Sequence, residues 1–158
     1  MNETLEKIKD ILATGISSGR VKSYIIGEPE LVPTTLMPCI AIAPSITDIT
    51  IADNDRDQST FTISIKAIVN IKTSIGKNGM EVVGTKEIVD IMEERNSSNI
   101  LQEGTVLYQV RNNLNLGSNW DVDNSCDINY GVRRDNAGQP IAIMAIMTMR
   151  VMLVKNRP

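Results

Sequence analysis

Apolar residues dominate the segment at residues 141–154, in which only Thr148 and Arg150 are polar. Every odd-numbered position of this segment is apolar, and the even-numbered positions are apolar apart from those two residues. A membrane-spanning helix needs about 20 apolar residues, and this run reaches Arg150 too early for that. The alternation instead predicts a strand whose odd-numbered face lies on the core and whose even-numbered face is at least partly covered.

The cover of the even-numbered face has two candidates, which the pattern leaves open. One is a helix or a loop of the same chain. The other is a second copy of the protein, because an exposed apolar strip of this length favours association and methionine adapts to irregular contacts. On this second interpretation the subunit interface contains Met144, Ile146, Arg150 and Met152. Arg150 would then pair with a carboxylate across the interface.

Two further patterns predict long elements. Residues 59–72, "STFTISIKAIVNIK", alternate between apolar and polar positions, with Ile68 as the exception. This alternation is typical of a half-buried antiparallel strand. At the N-terminus, apolar residues at helical spacing predict a helix that Asn2 caps and Gly15 ends. Its apolar members are Leu5, Ile8, Leu12 and Ile16.

Shorter patterns complete the predicted order of elements. We expect strands at residues 21–27, 39–45 and 46–51, with Pro44 stopping the second, a helix at 80–95, and short strands near Trp120 and Ile128. Residues 105–113 favour a strand, with a helix as the alternative. Segregated helices and strands predict one α+β domain over residues 1–158. Its sheet is mainly antiparallel, with a mixed sheet as the alternative, and two α-helices pack on one face. The loops at 28–38 and 52–58 are expected to be mobile.

Composition narrows the classes of function. The 158 residues contain no histidine, the usual general base and a common metal ligand. We therefore expect a non-enzymatic protein without a cofactor. A net charge of −3, with no basic cluster, disfavours tight binding of nucleic acid. The N-terminus has no apolar signal core, and Cys39 and Cys126 form no disulfide framework, so synthesis in the cytoplasm is expected.

One acidic segment has a spacing that resembles a calcium loop. Asp53, Asp55 and Asp57 match the first ligands of such a loop, but Gln58 and Ser64 stand where an EF-hand requires glycine and glutamate. A solvated loop between two strands is the favoured interpretation. A metal-binding module remains a remote alternative.

The order of several segments resembles a known family over nearly the whole chain. An N-terminal helix leads to "YIIGEPE" and "LMPCIAIAPS", and the long strand "FTISIKAIVNI" follows the acidic loop. The helix pattern "EIVDIMEERN", then "SCDINYGVRR" and a last apolar strand complete the series. This series is similar to the tail-terminator (tail-completion or neck) proteins of tailed bacteriophages.

The resemblance implies a structural role in the virion after synthesis in the host cytoplasm. Members of this family form a ring, commonly a hexamer, on the head-proximal end of the tail tube. The ring stops polymerisation of the tube protein, joins the tail to the head connector and, in contractile tails, meets the sheath. DNA passes through the lumen without specific binding. The resemblance implies that the loop with Asp53, Asp55 and Asp57 faces the tube, the neck or the lumen. The alternative is another head–tail component, such as a head-completion, tube or baseplate protein.

Overall fold

The computed structural model describes residues 2–17, 19–53, 56–71, 73–76, 79–113, 120–122 and 126–156. Its side chains are described for residues 2–17, 19–44, 60–71, 84–113 and 126–152. The elements are α1 (Asn2–Gly15), β1 (Ser23–Ile26), a 3-10 turn (Thr34–Leu36), β2 (Cys39–Asp53), β3 (Arg56–Asn70), β4 (Thr73–Gly76), β5 (Gly79–Val82), α2 (Val83–Glu93), α3 (Val106–Asn112), β6 (Trp120–Val122), β7 (Asp127–Arg134) and β8 (Pro140–Asn156). The chain forms a single α+β domain, as the sequence predicts.

Six strands form the main sheet, in the spatial order β1-β2-β3-β8 followed by β6 and β7. The last two pair with successive stretches of the same edge of β8, since β3 occupies the opposite edge. β1 and β2 run parallel, and the other pairs of this sheet are antiparallel. The sheet is therefore mixed but mostly antiparallel, as expected. β4 and β5 form a separate two-stranded hairpin.

The pairing of β3 with β8 fixes the two faces of the sheet. Directly paired residues of antiparallel strands share a face, and Ile65 pairs with Met147 while Lys66 pairs with Ile146. Odd-numbered residues of both strands lie in the main core cluster, which also contains the apolar residues of the three helices. We call this side the core face and the side of Ile146 the second face. The extended conformation and buried odd face predicted for β8 are confirmed.

Helix α1 begins and ends where the sequence predicts, and Leu5, Ile8 and Leu12 are buried. Helix α2 meets the sheet closely at Gly84, where an added Cβ would lie 3.0 Å from Ile143 Cδ1 and 3.1 Å from the Asn70 carbonyl oxygen. Glycine at this position therefore allows the helix to start against the strands. None of the described helices combines the length and the apolar character needed to cross a membrane.

The described residues form three helices, one more than the two predicted. Residues 106–112 form α3, for which a strand was favoured. Thr105 caps this helix: its Oγ1 accepts a hydrogen bond from the Tyr108 backbone N–H at 3.3 Å. Val106, Leu107 and Val110 share one buried side at helical spacing, whereas strand alternation would separate Leu107 from the other two. The placement of the helices on one face stays a prediction, with which the shared core cluster agrees.

Two strand boundaries also differ from the predictions. Pro44 does not stop a strand; β2 continues to Asp53 with a register irregularity between Pro44 and Ile46. Beyond Ile42 this strand has β3 as its partner and no second strand among the described residues, so proline at a bulged edge costs no ladder hydrogen bond. Residues 80–82, predicted as helix, belong to β5.

The two loops predicted to be mobile differ in secondary structure. Residues 52–53 and 56–58 belong to β2 and β3, and residues 54 and 55 lie outside the described part of the chain. Residues 28–38 contain the 3-10 turn and a cis peptide bond between Met37 and Pro38. Their mobility stays a prediction.

Candidate subunit interface

The second face of the sheet is the candidate functional site. Along its centre, Met144 pairs with Ile68, Ile146 with Lys66 and, further along β8, Arg150 with Thr62. On the outer side, Asn129 of β7 pairs with Ile146, and Gly131 pairs with Met144. The result is a strip of apolar side chains along β8, bordered by polar side chains on both neighbouring strands.

A loop of the same chain covers one end of this face. We call residues 28–38 the strap. Its Met37 forms a small buried cluster with Cys39, Ile68 and Ala142. Val32, Ile25 and Met144 pack against that cluster and are partly buried. This cluster explains why Ile68 interrupts the polar face of β3.

Two polar contacts hold the strap in place. Lys66 Nζ forms a salt bridge with Glu28 Oε1 at 2.5 Å. Ser23 Oγ of β1 donates a hydrogen bond to the Leu36 carbonyl oxygen at 2.9 Å. The same-chain cover left open by the sequence is therefore present, but at the end of the face near Ala142.

The described residues of one copy cover the rest of the strip only in part. Ile146 and Met152 are half-buried, and Arg150 is exposed. Arg150 forms no salt bridge with any residue whose side chain the structure describes. Ser64, the polar neighbour in the middle of the face, donates a hydrogen bond to the Ala43 carbonyl oxygen at 3.4 Å. A strip that combines apolar groups, polar borders and an arginine without an ion-pair partner among the described side chains suits contact with another protein surface.

The structure brings together all four residues predicted for the interface. Met144, Ile146, Arg150 and Met152 lie on one face of β8, because even-numbered residues of a strand point the same way. Sequence reasoning missed the contribution of the strap, on which Leu31 is 79% exposed and Leu36 is 42% exposed. The sequence contains a signal for this contribution, because the apolar residues of this proline-rich loop follow neither a helix nor a strand period and therefore need another contact.

The acidic loop is located only in part. Asp53 belongs to β2 and Asp57 to β3, on either side of a hairpin in which Asp53 pairs with Arg56. Their side chains and the whole of Asp55 lie outside the described residues. Within the described part of the chain, no three Cys, Asp or Glu side chains gather as a metal site would require. The roles suggested for this loop stay hypotheses.

Titratable groups near the sheet have packing roles. Burial raises the pKa of the Cys39 thiol to about 11, so the reactive thiolate is scarce at neutral pH. Burial, helped by the hydrogen bond that Tyr130 donates to Glu93 at 2.6 Å, raises the pKa of the Tyr130 phenol. Both shifts keep the side chains neutral, which suits structural contacts.

A polar cleft of about 570 Å³ lies away from the second face, between the α1–β1 connection and the turn before α3. Two of its three charged residues, Arg20 and Glu94, are already paired with each other, and the third is Glu103. Arg20 forms a salt bridge with Glu94 at 2.5 Å and donates a hydrogen bond to the Asp90 carbonyl oxygen at 3.1 Å. These bonds tie the connection to α2, so the cleft offers a ligand little free charge.

A scan against protein-family models finds no match for this chain, and a search of curated proteins finds no matching sequence.

Proposed function

We propose that this protein is a non-enzymatic structural component of a tailed bacteriophage. It forms a ring, most simply a hexamer, at the head-proximal end of the tail tube, where it stops tube polymerisation and joins the tail to the head connector. The order of segments resembles tail-terminator proteins, and the α+β fold with a mixed sheet agrees with that order. The observation that carries the proposal is the strip on β8, which one copy leaves partly uncovered.

The open strip gives identical copies a reason to associate. Full burial of an Ile or Met side chain contributes about 1.5–3 kcal/mol, and Ile146 and Met152 are each already half-buried. Part of that free energy is therefore left for contact with another surface. In a closed ring every subunit makes the same contact twice, once with each neighbour, so modest contacts add up to a stable assembly.

Charge supports the same arrangement. Arg150 is exposed on the second face, and a carboxylate of an adjoining subunit is its natural partner. The net charge of −3 is compatible with passage of DNA through the lumen, because like charges repel. The hairpin with Asp53, Asp55 and Asp57 faces the tube protein, the neck protein or the lumen in this proposal, and the sheath is a further neighbour in contractile tails.

Negative-stain imaging of the purified protein, alone and with tail tubes of the parent phage, tests this function. We expect rings in solution or rings that appear only on tubes, always at the end that joins the head. A protein that neither forms oligomers nor binds tubes under any condition would contradict the proposal. Localisation at the distal tip would make the protein a baseplate component instead.

A further inference from the structure

The main sheet ends in open strands on both sides. β7 pairs with β8 and with no other strand among the described residues. On the opposite side, β1 pairs with β2 over residues 39–42 and has no strand of the described chain beyond it. Open edges present unpaired N–H and C=O groups and are templates for pairing with another chain.

Exposed apolar side chains concentrate at these two edges. Tyr130 and Val132 lie on β7, and Ile141 lies beside its end. Leu31 and Leu36 lie on the strap, which is bonded to β1 through Ser23. Of the exposed large apolar residues that the structure describes, Ile100 alone lies away from β7, its end and the strap, so apolar exposure marks these regions as contact surfaces.

Neither the backbone conformation nor a steric contact with the described residues requires glycine at Gly131, in the middle of β7. Its φ is not positive, and an added Cβ would meet nothing within 4 Å. Glycine weakens a strand interior and commonly marks close approach of another backbone. Gly84 shows the contrast, because there the chain itself occupies the space. The room above Gly131 is therefore available to a molecule outside this copy.

Strand directions make the two edges of identical copies compatible. β1 runs parallel to β2, and each following pair on the path to β7 is antiparallel. After three reversals β7 runs opposite to β1. When a second copy is placed beside the first by rotation about an axis along the strands, its β1 is antiparallel to β7 of the first.

The strand registers also show which residue of β1 is aligned with which residue of β7 across the sheet. Ser23 pairs with Cys39, which pairs with Ile68, and Ile68 pairs with Met144, which pairs with Gly131. A sheet that continues without stagger therefore places Ser23 of one copy beside Gly131 of the next.

We propose that copies of this protein join head to tail by antiparallel pairing of β1 of one copy with β7 of its neighbour, with Ser23 beside Gly131. The sheet then continues from subunit to subunit, and the strap of the first copy, bonded to Ser23, lies over Gly131 of the second. The contact is the same at every junction and closes when the rotation completes a circle. This inference rests on the proposed ring and specifies how the ring is built.

Disulfide trapping tests the pairing. The variant combines Ser23→Cys and Gly131→Cys with Cys126→Ser, and Cys39 remains because it is buried. Within one chain the two edges are four strand spacings apart, roughly 19 Å, which exceeds the limit of about 7 Å between the Cα atoms of a disulfide. Only copies of the chain can therefore be bridged.

After oxidation of the folded protein, we expect a ladder of covalent oligomers on a non-reducing gel, ending at the closed ring. Each variant with one of the two new cysteines should give dimers at most. A ladder from Ser23→Cys with Asn129→Cys or Arg133→Cys, and none with Gly131→Cys, would overturn the register. The absence of a ladder from all three combinations would overturn the pairing.

A matched pair of substitutions separates this inference from the proposed function. Gly131→Lys places a lysine on the edge, a known device against strand pairing, whereas Gly19→Lys makes the same change at an equally open site away from the sheet. Both variants should keep the wild-type melting temperature at protein concentrations low enough for all three proteins to be monomeric. Sedimentation should show at least a tenfold weaker association for Gly131→Lys alone.

The two failures are distinguishable. If the wild-type protein forms rings on tail tubes while Gly131→Lys assembles equally well and no ladder forms, edge pairing is wrong and the tail function stands. If a ladder forms but the protein never binds tail tubes, edge pairing stands and the tail function is wrong.

Discussion

At the residue scale, neighbouring positions of β8 have opposite surroundings. Met147 is fully buried in the main core, whereas Ile146 is half-buried on the second face between Lys66 and Asn129. A side chain that is already in contact with water loses little on truncation, while a buried one leaves a cavity. The two residues therefore separate the stability of one copy from association between copies.

We expect Met147→Ala to lower the free energy of unfolding by about 2–5 kcal/mol. Ile146→Ala should lower it by less, about 1–2 kcal/mol, because this side chain is only partly buried in one copy. Urea denaturation of dilute, monomeric protein measures both. Equal costs for the two substitutions would show that the second face is covered within a single copy.

Cys39 should not react with thiol reagents in the folded protein. Its pKa of about 11 leaves roughly one thiolate in a thousand at pH 8, and its side chain is 1% exposed. In a Cys126→Ser variant, we expect no reaction with a disulfide reagent at pH 8 until denaturant is added, and then one equivalent. Rapid labelling without denaturant would place Cys39 at the surface and contradict the strap.

The Tyr130–Glu93 hydrogen bond predicts a pH-dependent stability. The folded-state pKa of Tyr130 is raised above its ordinary value of 10.0, so the contribution is complete below pH 10 and is lost as the pH rises further. Tyr130→Phe should cost about 0.5 kcal/mol at pH 7, since the pair is exposed to solvent. The difference between the melting temperatures of the two proteins should be constant from pH 8 to about 10 and should shrink between pH 10 and 11. A constant difference over this range would contradict the assignment.

At the element scale, helices and strands with a long apolar pattern can be predicted from the sequence, whereas those with a short pattern cannot. α1, β3 and β8 each repeat their apolar period enough times to exclude the alternative, and the structure has all three. The pattern around Val106 covers only two helical turns, so the cap at Thr105 decides its conformation. Pro44 is tolerated because β2 has no second neighbouring strand beyond Ile42 in the described part of the chain, a property of strand order that local sequence does not contain.

The cap makes α3 sensitive to a single hydroxyl group. Thr105 is fully buried, and its Oγ1 also donates to the Gln102 carbonyl oxygen at 2.8 Å. Thr105→Ala should lower the free energy of unfolding by about 1–2 kcal/mol, and Thr105→Ser should restore most of it. Chemical denaturation of the three proteins measures this. A serine variant as unstable as the alanine variant would assign the loss to the missing methyl group.

At the scale of the whole molecule, the candidate site was predictable in part. The period of two places Met144, Ile146, Arg150 and Met152 on one face whatever surrounds β8, so sequence alone groups them. The contact of the strap with Ile68 and the lateral alignment of Ser23 with Gly131 across the sheet depend on pairing between residues distant in the chain. Predicting those features requires the registers of four strand pairs.

The central claim is that the second face and the sheet edges join copies of this chain. The most direct test is the sedimentation of the wild-type protein beside Ile146→Glu and the control Ile100→Glu, whose site is 60% exposed and off the sheet. We predict that the wild-type and control proteins associate into one species of defined mass, while Ile146→Glu stays a folded monomer. Wild-type protein that remains monomeric even with tail tubes present, or Ile146→Glu that assembles like the wild type, would contradict the claim.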